Sequence, residues 1–113
     1  MHEVSVASEI LQIVLENAKE SNIKKVDKII LQVGEFTCIE DSLLQFAFEA
    51  MKEKGICENA QLFIKKIKAT SYCDNCKEEF EVSYRNRLCP KCNNFGCNIV
   101  KGYELYLESI EGE

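Results

Sequence analysis

Histidine and long apolar runs are what this sequence has least of: one His in 113 residues, at position 2, and no uninterrupted apolar stretch longer than three residues. Both scarcities exclude functions. A bilayer crossing needs roughly 20 consecutive apolar residues, and no basic region precedes Lys19, so neither a membrane span nor a signal peptide is expected. The chain reads as cytoplasmic. With its only imidazole at the extreme terminus, no Ser or Cys has a neighbouring His to act as base, and neither a G-x-x-x-x-G-K-[ST] loop nor a G-x-S-x-G elbow occurs. Hydrolase and NTPase chemistry therefore lack their usual apparatus, and the chain is expected not to be an enzyme. Positive charge is short as well: Lys plus Arg number 14 against 19 Asp plus Glu, a formal −5. Nucleic acid is a poor electrostatic partner for such a chain.

Cysteine, by contrast, is abundant. Seven are present, an odd number, and four of them form Cys73-x-x-Cys76 and Cys89-x-x-Cys92 with twelve residues between. Two such knuckles place four sulfurs around one point, the pattern of a zinc ribbon. Clustering at metal-ligand spacing fits a reducing compartment better than a disulfide scaffold. A closed four-thiolate shell leaves no open position for water or substrate, so Zn(II) here is read as structural. Iron in a rubredoxin-like role would use the same donors and stands as the alternative. Cys97 is a minor alternative ligand; Cys38, Cys57 and Cys97 are otherwise read as reduced thiols outside the site.

Apolar residues at Val4, Ala7, Leu11, Val14 and Ala18, with Ile10 and Leu15 beside them, predict a helix. Val26 to Val33 predicts a strand with Ile29, Leu31 and Val33 on one side, ended by Gly34. A second helix is expected from Asp41 to Glu53, burying Leu43, Leu44, Ala47, Phe48 and Met51 and capped at Gly55. Leu62 to Ala69 reads as a strand whose Lys65 and Lys66, with Lys68, form a solvated face. In the last strand, Tyr103, Leu105 and Leu107 are expected to be buried and Glu104, Tyr106 and Glu108 wetter. The fold class that follows is α/β: a small three-stranded sheet packed with two helices, plus an inserted zinc-ribbon-like domain. Residues 1–69 and 99–113 make the first domain. Residues 70–98, poor in large aliphatics, make the second and need their metal to fold.

The chain begins Met1-His2-Glu3 and enters a helix at once. The Met1 amine, the amide nitrogens of His2 and Glu3, and the His2 imidazole could supply four nitrogens in a plane, which suits Ni(II) or Cu(II) better than zinc. The competing reading is a frayed terminus that binds nothing.

Met1-His2-Glu3-Val4-Ser5, the run LQVGEF from Leu31 to Phe36, the run LQFAFE from Leu44 to Glu49, and the two knuckles together resemble the HypA/HybF family of hydrogenase-maturation nickel chaperones. The resemblance covers essentially the whole chain. It implies a nickel-binding α/β domain with an inserted zinc domain, Ni(II) as transported cargo, and His2 as its side-chain ligand, with main-chain nitrogens from Met1, His2 and Glu3. It implies structural Zn(II) on Cys73, Cys76, Cys89 and Cys92. The implied partners are a GTPase accessory protein and the precursor of the [NiFe]-hydrogenase large subunit; urease is a second possible recipient, and a homodimer is left open. Family members often carry Gly and Pro where this chain has Cys38 and Asp41. Cys38 is read as packing, with an extra soft nickel ligand as the alternative, and Glu40 and Asp41 as carboxylates placed to orient nickel ligands. The competing function is a zinc-ribbon adaptor for nucleic acid or a translation component.

Overall fold

The computed structural model describes residues 3–52 and 54–113. Helix α1 spans Glu3–Glu20, strand β1 Val26–Gly34, a 3-10 turn Glu35–Thr37, helix α2 Asp41–Met51 and strand β2 Gln61–Ile67. Four more strands follow: β3 Thr70–Cys73, β4 Glu78–Glu81, β5 Asn98–Lys101 and β6 Leu105–Gly112. They form two three-stranded sheets, ordered β2-β1-β6 and β4-β3-β5. Among the described residues no helix is long and apolar enough to cross a membrane.

The chain divides into two compact units, one of Met1–Gln32, Cys38–Lys65 and Tyr106–Glu113, the other of Val33–Thr37 and Lys66–Leu105. In the first, α1 buries Val6, Ala7, Ile10, Val14 and Ala18 at helical spacing, and α2 buries Leu44, Ala47 and Phe48 against it. Ile29 and Leu31 of β1 are fully covered, as the alternation predicts. Burying side chains of this size contributes about 1.5–3 kcal/mol each. Three helix residues expected in the core are exposed instead. Val4 and Leu15 are exposed because they sit round the shoulder of the α1 stripe, and Leu43 of α2 is exposed because Leu44, Ala47 and Phe48 centre that stripe about 100° away.

The end of α2 also departs from expectation. Helix geometry stops at Met51, and Lys52 is extended (φ −70°, ψ 133°) with its N–H still donating to the Phe48 carbonyl. Gly55 takes φ +137° in the turn that follows and caps no helix. Lys52 Nζ instead reaches the Ala60 carbonyl at 3.0 Å, and Gln45 Nε2 of α2 the Leu62 carbonyl at 2.6 Å, so side chains in and just after α2 occupy acceptors at the start of β2.

No residue of β6 is buried, although burial of Leu105 and Leu107 was expected: β6 is an edge strand, so one flank is open and alternation does not produce a dry face. Tyr103 lies before β6 and is also exposed. What β6 contributes is polar. Tyr106 Oη donates to Gln32 Oε1 and Gln32 Nε2 to Glu108 Oε1, both at 2.6 Å, and Lys65 Nζ reaches the same Glu108 oxygen at 3.1 Å. That ladder links β2, β1 and β6 side by side.

The second unit is wider than the 70–98 stretch picked out by composition. Its strand β3 pairs antiparallel with both β4 and β5. The turn at 33–37 belongs with it because the Ala69 N–H donates to Glu35 Oε1, the Phe36 N–H to the Gly102 carbonyl and the Gly34 N–H to the Glu104 carbonyl. Phe36 then packs into a cluster with Ala69, Cys73, Phe80, Val82 and Cys89. A Cβ at Gly34 would collide with the Gly102 carbonyl, so only glycine allows this approach.

Candidate metal centre

Each cysteine pair is set by a hairpin with the same local geometry. The first joins β3 to β4: Cys73 ends β3, the Cys76 N–H donates to Cys73 Sγ at 3.4 Å, and Lys77 turns the chain at φ +55°. In the second, Leu88 bridges Phe95, the Cys89 N–H donates to the Asn94 carbonyl at 2.9 Å, the Asn93 N–H donates to the Cys89 carbonyl at 2.8 Å, and Asn93 has φ +61°. In both, the residue after the second cysteine is left-handed, which folds the loop back so that both sulfurs face the same way. Asn tolerates that conformation; Lys does so at a cost.

The four sulfurs of Cys73, Cys76, Cys89 and Cys92 lie within 4.8 Å of one another. Cys73 Sγ is 3.5 Å from Cys92 Sγ, and Cys89 Sγ 3.9 Å from Cys76 Sγ. A tetrahedron with metal–sulfur bonds of about 2.3 Å has edges of about 3.8 Å, so the donor set fits one zinc-sized ion. Cys73 and Cys89 are buried against Phe80 and Val82, while Cys76 and Cys92 are half-exposed. Such a site can hold a metal and brace the hairpins, but offers no vacant donor position for catalysis.

The thiols are not equivalent. The Asn94 backbone N–H, helped by the Asn75 side chain, pulls Cys92 down to about 6. Cys76 is pushed up to about 12, first by its hydrogen bond with Cys92 and then by burial. One thiolate therefore forms readily, and further negative charge waits for a cation.

The remaining residues singled out by sequence are dispersed. Cys97 is exposed and is not among the four clustered sulfurs. Cys57 is buried in the first unit, where desolvation raises its thiol. Cys38 is exposed at φ +62°. Met1 and His2 lie outside the described residues. Glu3 opens α1, is buried, and its Oε2 accepts the Glu40 N–H at 3.2 Å, so the start of α1 is tied to the start of α2. The Glu40 carboxylate itself accepts the Ser42 hydroxyl at 2.9 Å, and Asp41 is the first residue of α2. Sequence reasoning missed this tie, and it missed the roles of Asn75 and Asn94; an Asn beside a knuckle cysteine was the available signal.

The family described as HypA, hydrogenase/urease nickel incorporation metallochaperone, matches residues 1–112. The hydrogenase maturation factor HypA of Caldanaerobacter subterraneus subsp. tengcongensis is 38% identical over 114 residues, with 100% of both chains covered. That of Aquifex aeolicus is 34% identical over 113 residues, covering 100% of this chain and 98% of its own. Among solved structures, the solution structure of the Ni metallochaperone HypA from Helicobacter pylori superposes with a TM-score of 0.69 at 30% identity, over 99% of this chain and 97% of that one. Agreement along the full length, in sequence and in fold, shows that the chain belongs to the HypA family of nickel metallochaperones for hydrogenase maturation, and that it is not an enzyme.

Proposed function

We propose that the chain carries one Ni(II) as cargo at its amino terminus and delivers it, in the cytoplasm and together with a GTPase accessory protein, to the precursor of a [NiFe]-hydrogenase large subunit. The ligands in this reading are the Met1 amine, the main-chain nitrogens of His2 and Glu3, and the His2 imidazole. The observation that carries it is the position of Glu3 as the first residue of α1. The first four N–H groups of a helix lie outside the helical ladder, and the Glu3 N–H bonds to its own carboxylate, so giving its proton up to a metal exchanges that one local contact and leaves the helix intact. Two deprotonated amides cancel the charge of Ni(II), and a neutral complex is not penalised at the positive end of the helix dipole. Reprotonating those amides releases the ion, which suits handover by ligand exchange. The buried Glu3 carboxylate holding the Glu40 N–H keeps the last of the four nitrogens on a rigid element.

Zn(II) in this reading is a resident ion held by Cys73, Cys76, Cys89 and Cys92, whose all-sulfur donor set, gathered within 4.8 Å, suits it. Bound there, it would supply no reaction chemistry and would keep the second unit in shape. The zinc-ribbon adaptor reading loses ground to the whole-length family match and to the net charge of −5.

Calorimetric nickel titration of protein with a native amino terminus tests the proposal. His2→Ala and a short N-terminal extension should each abolish stoichiometric binding. Equal binding by all three proteins would refute the terminal site.

A further inference from the structure

We propose that the loop between β4 and the second knuckle, with Tyr103 beside it, is a docking patch for an acidic segment of a partner protein, gripped by Arg85 and Arg87. The inference requires neither nickel nor the terminal site. These are the only two arginines in the sequence, and both fall within one short loop of a chain with net charge −5. The loop is built rather than loose. Ser83 Oγ accepts the N–H groups of Arg85 and Asn86 at 3.3 and 3.1 Å, the Ser83 N–H donates to the Asn86 carbonyl at 2.8 Å, and Asn86 Oδ1 accepts the Leu88 N–H at 3.0 Å.

Aromatic rings support it from below. The Arg87 guanidinium lies 4.8 Å from the Phe36 ring centre, and Phe36 in turn packs against Tyr84 at 4.7 Å and Tyr103 at 5.8 Å. Phe36 is buried, whereas the two tyrosines are 60% and 62% exposed. Arginine and tyrosine on a fixed frame are the residues that dominate protein–protein contact energies, because little side-chain freedom is left to lose.

The charge of the patch is unspent. In the same unit Lys68, Lys91 and Lys101 are paired with Glu81, Glu78 and Glu79, but among the described residues neither arginine has a carboxylate partner. Nearby acids are otherwise engaged: Glu35 accepts the Ala69 N–H and Glu104 the Gly102 N–H. Guanidinium forks match carboxylates in bidentate fashion. Two cations on an acidic chain are too few to follow a phosphodiester backbone, so the fitting occupant is a protein segment carrying carboxylates among apolar residues.

The test is a 15N-NMR titration of the full chain with a synthetic Asp/Glu-rich peptide containing Leu and Phe, its Asn/Gln counterpart, and a single-stranded oligonucleotide. Saturable shifts from the acidic peptide confined to residues 83–88 and 103 are expected, and they should weaken with added salt. Arg85→Gln with Arg87→Gln should reduce affinity at least tenfold, Arg85→Lys with Arg87→Lys less, with the rest of each spectrum unchanged. Absence of saturation at millimolar peptide, equal binding of the amide peptide, shifts centred elsewhere, or tighter binding of the oligonucleotide at this loop would each overturn the proposal.

Discussion

Metal retention by the four-cysteine site should fall steeply with acidity, and the slope can be worked from its thiols. Cys76 is held up near 12, and Cys73 is also raised: the Cys76 N–H pulls it down, but burial and the neighbouring thiols outweigh that pull. Both therefore keep their protons at neutral pH, whereas Cys92, at about 6, has lost its own. A dication takes all four as thiolates, so binding at pH 7 expels at least two protons. Affinity is then greatest at high pH and drops by at least about a hundredfold per unit as pH falls. Below about 6 Cys92 also takes up a proton, which steepens the loss by about another tenfold per unit. Zinc competition against a chromophoric chelator between pH 5 and 8, or cobalt substitution followed by its thiolate absorption, measures this directly. Asn75→Ala removes one of the bonds that hold Cys92 down, so the break should move to higher pH. A slope of one decade per unit or less, or no break near pH 6, would refute the reasoning.

Cys76→Ser should lose stoichiometric zinc, read by metal analysis, with amide protection between residues 70 and 98 lost alongside, read by hydrogen exchange against the intact first unit. Phe48→Ala, at a fully buried position of α2, should cost about 3–5 kcal/mol in urea unfolding, whereas Leu43→Ser, on the exposed side of the same helix, should stay within about 0.5 kcal/mol. Lys77→Gly relieves a left-handed lysine at φ +55° and should stabilise the metal-loaded protein by up to about 1 kcal/mol, seen as a higher melting temperature.

The four sulfurs were legible because a C-x-x-C pair encodes its geometry locally: the hairpin that brings two thiolates together is contained in six or so residues, and two pairs can close only one tetrahedron. The central strand was legible too, since Ile29, Leu31 and Val33 alternate without interruption. Helix faces were readable in their middles and not at their margins. Leu43 and Val4 are as apolar as their buried neighbours, and only the partner surface decides where an apolar stripe ends. The small sheet of the second unit was invisible because β3, β4 and β5 are four residues each, too short to show alternation. Its extension to 33–37 rests on Glu35 and Phe36 reaching residues more than thirty positions away, a long-range choice that composition does not carry. The tie from Glu3 to Glu40 is of the same kind.

The Lys52 and Gln45 side chains that occupy the Ala60 and Leu62 carbonyls have a bearing on assembly. A strand can be added to a sheet only where backbone acceptors and donors are vacant, so that flank is closed to extension over those residues. The opposite edge of the same sheet is β6, which carries Glu108 and Glu111. There Glu108 pairs with Lys65 and Glu111 with Lys28, and charged side chains along an edge discourage edge-to-edge pairing. Both edges of this sheet thus carry features that discourage pairing with a second copy.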